Sequence, residues 1–305
     1  MDIIQVITKE LNVEKWQVEA AVKLIDEGCT IPFISRYRKE ATGSLNDEQL
    51  RTLHERLTYL RNLEEKKNQV LGSIEEQGKL TAELKKQILD AQTLVVVEDL
   101  YRPFRPKRRT RAIIAKEKGL EPLANIIMLQ MTDKPIEEEA QDFVSEDKGV
   151  ESVADAVNGA KDIIAEHISD EADYRIYLRK LTMDRGSVAS TAKKPEESSV
   201  YEMYYEFEEP IKKLAGHRVL ALNRGEKEKI LTVKVNAPEE EAMGWLQKQV
   251  ITKENPITKP ILREVVEDSY KRLIAPAIER EIRSDLTEKA EDGAIHVLER
   301  IWSSF

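Results

Sequence analysis

Six positive charges fall within residues 101–111, a stretch that contains no acid and is called the basic segment below. Pro103 and Pro106 hold the chain extended, so we do not expect the basic segment to form the interior of a helix. An extended row of arginines can follow a phosphate backbone, since guanidinium groups contact phosphate oxygens in pairs. The same side chains could instead bind acidic helices of this chain, and both interpretations stay open. The six cations are Arg102, Arg105, Lys107, Arg108, Arg109 and Arg111.

A second cationic group lies in residues 34–40, on or just beyond a short helix. Arg36, Arg38 and Lys39 are candidates for phosphate contact, and the spacing predicts that Arg36 and Lys39 share a helix face. Tyr37 is available to stack on a base or to pack. The alternative is that Arg36 and Lys39 pair with acids of neighbouring helices while Tyr37 fills the core.

A third polar group occupies residues 217–227. Its apolar residues indicate burial, and residues 223–225 (Asn-Arg-Gly) predict a turn. The sequence allows either an interdomain joint or a ligand site at this place.

Motifs for other chemistry are missing from the sequence. The four histidines have no ligand spacing, and there is no cysteine pair, His-Glu-x-x-His motif or aspartate-rich calcium loop, so we expect no metal. None of the twelve glycines forms a phosphate-binding loop, so we expect no cofactor. No serine or cysteine has a nucleophile context, and the chain is not expected to be an enzyme.

The balance of charge is acidic, with 48 Lys+Arg against 57 Asp+Glu and a net charge of -9. This argues against a protein that coats nucleic acid with its whole surface, but it allows a local basic patch. No apolar run is long enough to span a bilayer, and the start has no signal-like stretch. The single cysteine, Cys29, fits a reducing compartment. We therefore expect a cytoplasmic protein with no membrane partner.

Helical periodicity predicts a mainly α fold, a multi-helix array with a minor β element near residues 230–236. Short helices over residues 2–41 predict an N-terminal helix-turn-helix-like element. Asn46 and Gln49 form a capping box that opens a long helix with core leucines. The alternating residues 230–235 predict a strand, and residues 201–207 are either its partner or a helical stretch. Residues 187–200 read as a polar loop or linker.

Four motifs resemble signatures of the Tex family, the bacterial transcription accessory proteins. In chain order they are IPFISRYRKEATGSL (31–45), LTYLRNL (57–63), DLYRPFRPKRRTRA (99–112) and HRVLALNRGE (217–226). The resemblance covers roughly residues 1–298.

The resemblance implies a helical N-terminal domain over residues 1–190 and a mixed region over residues 191–305 that leads to a ribonuclease-H-like domain. That domain, a helix-hairpin-helix module and an S1 RNA-binding domain are expected to be absent, which makes the chain an incomplete family member. The implied function is weak binding of RNA or DNA in transcription or RNA metabolism, with transcription or ribosomal machinery as further partners. The alternative is a helical scaffold that makes no direct contact with nucleic acid.

Overall fold

Helices dominate the computed structural model of this chain. It describes the backbone of residues 1–302 and the side chains of residues 1–293. The prediction of a mainly α fold is confirmed. Residues 303–305, which the sequence places inside a helix, lie outside the described residues. The chain divides into two units, Met1–Phe104 and Arg105–Phe305.

The first unit is built from helices joined by short turns. Asn46 Oδ1 accepts from Gln49 N at 2.8 Å and Gln49 Oε1 accepts from Asn46 N at 3.0 Å, which confirms the predicted capping box. The helix that it opens buries leucines three and four residues apart, as the pattern predicts. The helix-turn-helix-like element stays a prediction. The helices are α1 (Ile3–Leu11), α2 (Lys15–Asp26), α3 (Ile31–Tyr37), α4 (Lys39–Thr42), α5 (Asp47–Glu76), α6 (Ala82–Asp90) and α7 (Leu94–Tyr101).

The second unit combines helices with a small three-stranded sheet, and its buried apolar residues form a hydrophobic core. The Ser152 hydroxyl caps the long helix that crosses this core by accepting from Asp155 N at 3.1 Å. In chain order its elements are α8 (Arg111–Glu117), α9 (Glu121–Leu129), α10 (Ile136–Gln141), α11 (Val153–Asp170), α12 (Ala172–Arg185), β1 (Ser187–Ala192), β2 (Glu206–Pro210), α13 (Gly216–Lys227), β3 (Leu231–Asn236), α14 (Glu239–Val250), α15 (Thr258–Asp268), a π-helical segment (Ser269–Ile274) and α16 (Ala275–Trp302).

The sheet is antiparallel, in the order β2-β1-β3. The predicted strand near residue 230 is confirmed as β3, but the predicted partner was wrong. β3 pairs with β1, with Val188 opposite Val235, whereas residues 201–207 hold a 3-10 turn and the start of β2. β1 lies in the segment predicted as a loop. The prediction failed because the residues of β1 are mostly small and polar, which obscures the alternation in which Val188 and Ser190 are buried. The predicted domain boundary at residue 190 lies inside β1.

A buried tyrosine lies in the π-helical segment just before Pro276. Pro276 lacks the N–H that would continue the helical ladder, and the wider π turn accommodates that loss. Tyr270 is 2% exposed. Burial, with a smaller contribution from the negative charge of Glu239, raises the pKa of Tyr270 from 10.0 to about 12.

The raised pKa of Tyr270 predicts a loss of stability in alkaline solution. The unfolded chain releases the phenolic proton near pH 10, while the folded chain retains it. Ionisation of Tyr270 therefore does not lower the free energy of unfolding below pH 10, and between pH 10 and about pH 12 it lowers that free energy by about 1.4 kcal/mol per pH unit. Urea unfolding at pH 9 and pH 11 measures the slope, and Tyr270→Phe should remove this part of it. An unchanged slope in the variant would contradict the assignment.

Candidate nucleic-acid interface

The basic segment is not the interior of an α-helix, as its prolines predict, but the prediction that it is extended was wrong at Pro103. Residues 102–104 form a single 3-10 turn, and α8 begins at Arg111 after the Thr110 hydroxyl caps it by accepting from Ile113 N at 3.2 Å. The division between the two units falls between Phe104 and Arg105. Arg102 is half-buried and Arg105 is exposed, and both make contacts within the chain.

Lys107 binds an acidic helix of the same chain, which is the second of the two interpretations of the basic segment. Its Nζ donates to the Asp170 carboxylate at the end of α11 and lies 3.8 Å from Glu166 Oε1. All three side chains are largely buried, with exposed fractions of 16–22%. Lys107 therefore holds the segment against an acidic helix end and is not presented to a ligand.

Arg109 forms a looser contact. Its Nη2 donates to Glu117 Oε2 at 2.7 Å, but the two side chains are 67% and 52% exposed. Such a surface ion pair contributes at most about 1 kcal/mol, because water and salt screen it. A phosphate can therefore replace Glu117 at low cost.

Arg108 and Arg111 are both exposed, but their surroundings differ. Arg108 makes no ion pair or hydrogen bond with any side chain that the structure describes. Arg111 lines a cleft of about 430 Å³ together with Asp155 and Asp162. Burial raises the pKa of Asp162, although Arg272 and Arg111 oppose that shift. The two acids offset the charge of Arg111, so Arg108 is the less neutralised of these two cations.

The second cationic group lies where two short helices meet. α3 ends at Tyr37, Arg38 is non-helical with φ -131° and ψ 30°, and Lys39 opens α4. The prediction that Arg36 and Lys39 share one helix face was therefore wrong, since the helix breaks between them. Arg36, Arg38 and Lys39 are all exposed, and none of them pairs with an acid among residues 1–293.

Exposed aromatic rings accompany these cations. Tyr37 is 65% exposed, so the interpretation that it fills the core was wrong. Its ring lies 5.4 Å from that of Phe33, and the Arg38 guanidinium is 5.9 Å from the Phe33 centroid. Trp16 on α2 is 53% exposed. The sequence pattern places Trp16 on an apolar stripe of α2, a position that the structure leaves half exposed. For Phe33 the available signal is its i, i+4 spacing to Tyr37, beside the core residue Ile34.

The third polar group is structural. The turn predicted at residues 223–225 was wrong, because these residues lie inside α13. Asn223 Nδ2 donates to Thr287 Oγ1 at 2.8 Å, and Arg283 Nη2 donates to Asn223 Oδ1 at 3.0 Å. These contacts join α13 to α16 within the second unit. The expectation of an interdomain joint was therefore also wrong.

Together these features define a class, a helical scaffold that presents exposed cations and aromatic rings. No helix in the described part of the chain is long and apolar enough to cross a bilayer. A family model described as the Tex-like protein N-terminal domain matches residues 1–75, and one described as the Tex central region matches residues 131–298. The chain belongs to the Tex family, as its motifs indicate.

Relatives from distant organisms match almost the whole chain. "Uncharacterized protein YdcI" of Bacillus subtilis is 49% identical over 96% of this chain and 41% of its own length. "Transcriptional accessory protein Tex" of Neisseria gonorrhoeae is 36% identical over 98% of this chain and 40% of its own length. The human "S1 RNA-binding domain-containing protein 1" is 31% identical over 98% of this chain and 31% of its own length. The chain therefore spans less than half the length of these relatives.

Proposed function

We propose that this chain binds RNA or DNA and acts in transcription or RNA metabolism by binding and not by catalysis. The observation that carries the proposal is that four members of the two cationic groups are exposed and have no acidic partner among the described side chains, in a protein of net charge -9. These four are Arg108, Arg36, Arg38 and Lys39. The names of two relatives, a transcriptional accessory protein and an S1 RNA-binding domain-containing protein, support the same process.

An interface that rests on only four unpaired cations predicts weak binding that depends strongly on salt. Each phosphate contact releases condensed counterions, so the logarithm of the binding constant falls linearly with the logarithm of the salt concentration. Binding should be measurable at low ionic strength and weaken steeply towards physiological salt. It occurs in the cytoplasm, with transcription or ribosomal machinery as further partners.

Removal of two neighbouring arginines tests the proposal. Arg108→Ala/Arg109→Ala should weaken binding and reduce the salt slope by about 0.7–0.9 for each phosphate that the variant no longer neutralises. Fluorescence anisotropy of labelled RNA and DNA oligonucleotides over a salt titration provides the measurement. Lys85→Ala/Lys86→Ala is the matched control, since it removes two adjacent exposed cations from α6.

Equal salt slopes for the two double variants would contradict phosphate contact by the basic segment. Undetectable binding to every oligonucleotide at low salt would refute the function itself.

A helical scaffold without direct nucleic-acid contact is the second candidate, and the Lys107 contact with α11 favours it. If the chain is such a scaffold, Lys107→Ala should lower the melting temperature. The variants at Arg108 and Arg109 should then leave the affinity for oligonucleotides unchanged.

A further inference from the structure

Three aromatic rings and three cations lie exposed on α2, α3 and α4, which contact one another in the first unit, and we call this set the α2–α4 surface. The rings of Trp16, Phe33 and Tyr37 are 53%, 39% and 65% exposed. Exposed aromatic side chains that are grouped on one face, with cations beside them, are typical of an interaction surface, whereas single exposed ones are not. The six members are Trp16, Phe33, Arg36, Tyr37, Arg38 and Lys39.

Local structure holds the rings of α3 outward. The Thr30 hydroxyl caps the helix by accepting from Phe33 N at 3.3 Å, and Ile34 is fully buried. With Ile34 anchored in the core, Phe33 and Tyr37 lie one turn apart on the outer side, with ring centroids 5.4 Å apart. Arg38 stands 5.9 Å from the Phe33 centroid and fixes a cation beside the rings.

Trp16 is positioned by the end of α4. Gln17 Nε2 donates to the carbonyls of Thr42 at 3.1 Å and Gly43 at 3.2 Å, which ties α2 to that end. Gly43 has φ +63°, and a Cβ atom there would lie 2.6 Å from Trp16 Cη2. The indole thus packs close over Gly43, whose left-handed conformation and lack of a side chain suit glycine, and half of the indole surface is open to solvent.

The charges on α3 and α4, beside Phe33 and Tyr37, favour an anionic partner. Glu40 is the single acid in residues 31–43, against three cations that make no ion pair with any described acid. A protein partner of these rings would have to desolvate those cations, whereas the core of a protein interface is usually depleted of charge. A strand of nucleic acid supplies phosphates for the cations and planar bases for the rings.

We propose that the α2–α4 surface binds single-stranded nucleic acid, with unpaired bases stacked on Trp16 and Tyr37 and phosphates contacted by Arg36 and Lys39. The proposal rests on the proposed function and adds the class of ligand. A duplex keeps its base faces stacked on one another, so only unpaired bases can meet the rings. The surface therefore discriminates single strands from duplexes by stacking, and not by charge.

Anisotropy titrations of the full chain against a labelled 12-nucleotide single strand and the duplex of the same sequence test this at low salt. Trp16→Ala and Tyr37→Ala should each weaken single-strand binding by at least about fivefold. The salt slope should stay unchanged, because neither variant removes a phosphate contact. Tyr37→Phe keeps the ring and should bind as the unaltered chain does. Tryptophan fluorescence should be quenched by the single strand, and less so in Trp16→Ala.

The outcomes separate this inference from the proposed function. Salt-dependent binding that is equal for single strand and duplex, or unaffected by Tyr37→Ala, would overturn the stacking surface and leave the proposed function standing. Absence of any binding by the unaltered chain would overturn both.

Discussion

Replacement of Glu281 by alanine is expected to lower the free energy of unfolding by about 3 kcal/mol, because it withdraws a carboxylate from a buried guanidinium. Arg175 on α12 is 1% exposed, and its Nη2 lies 3.3 Å from Glu281 Oε1. Arg179 Nε donates to Glu281 Oε2 at 3.0 Å. One carboxylate of α16 thus contacts two arginines of α12, and Arg175 is the member shielded from solvent, since Arg179 is 15% and Glu281 27% exposed.

Urea unfolding of the full chain, followed by circular dichroism, measures the change. Glu241→Ala is the matched control, since Glu241 pairs with Arg185 on the surface, where the side chains are 42% and 58% exposed. That pair should contribute less than about 1 kcal/mol. If Glu281→Ala costs no more than Glu241→Ala, the buried guanidinium does not depend on this carboxylate.

Local signals predicted the parts of the fold that depend on neighbours in the chain. The capping box at Asn46, the cap at Ser152 and the alternation of β3 each involve residues a few positions apart, and the structure contains all three. Such signals act through backbone hydrogen bonds and side-chain periodicity, which a single sequence displays directly.

Features that depend on distant residues were missed. β1 looks polar, and it becomes a central strand because β2 and β3 pair with both of its edges. Residues 223–225 resemble a turn, but Gly225 lies inside α13, where a Cβ atom would be 2.5 Å from Leu231 Cδ1. Tight packing of the helix on β3 overrides the turn propensity of Asn-Arg-Gly.

The candidate site shows the same division. Composition located both cationic groups, but it could not tell which charges were already neutralised. The partner of Lys107 is Asp170, 63 residues later, and no local pattern connects them. The exposure of Tyr37 likewise depends on how α3 packs, since a tyrosine at helical spacing fits a core equally well.

A close backbone approach at Gly186 provides the second large prediction. Gly186 joins α12 to β1 with φ -84°, a conformation open to any residue, so its lack of a side chain matters only for space. A Cβ atom there would lie 2.4 Å from Thr182 O and 2.9 Å from Asn236 O. Both are backbone atoms, which cannot rotate away as a side chain can.

Gly186→Ala should therefore lower the free energy of unfolding by about 2–3 kcal/mol, because α12 and the β1–β3 pair must move apart. Gly244→Ala is the matched control. Gly244 lies inside α14 with nothing within 4 Å of an added Cβ atom, so alanine should stabilise the chain by about 0.5–1 kcal/mol. Urea midpoints of the two variants should move in opposite directions. Since the chemical change is the same in both, the difference in sign isolates the crowding at Gly186, and a neutral Gly186→Ala would show that the helix and strand do not approach so closely.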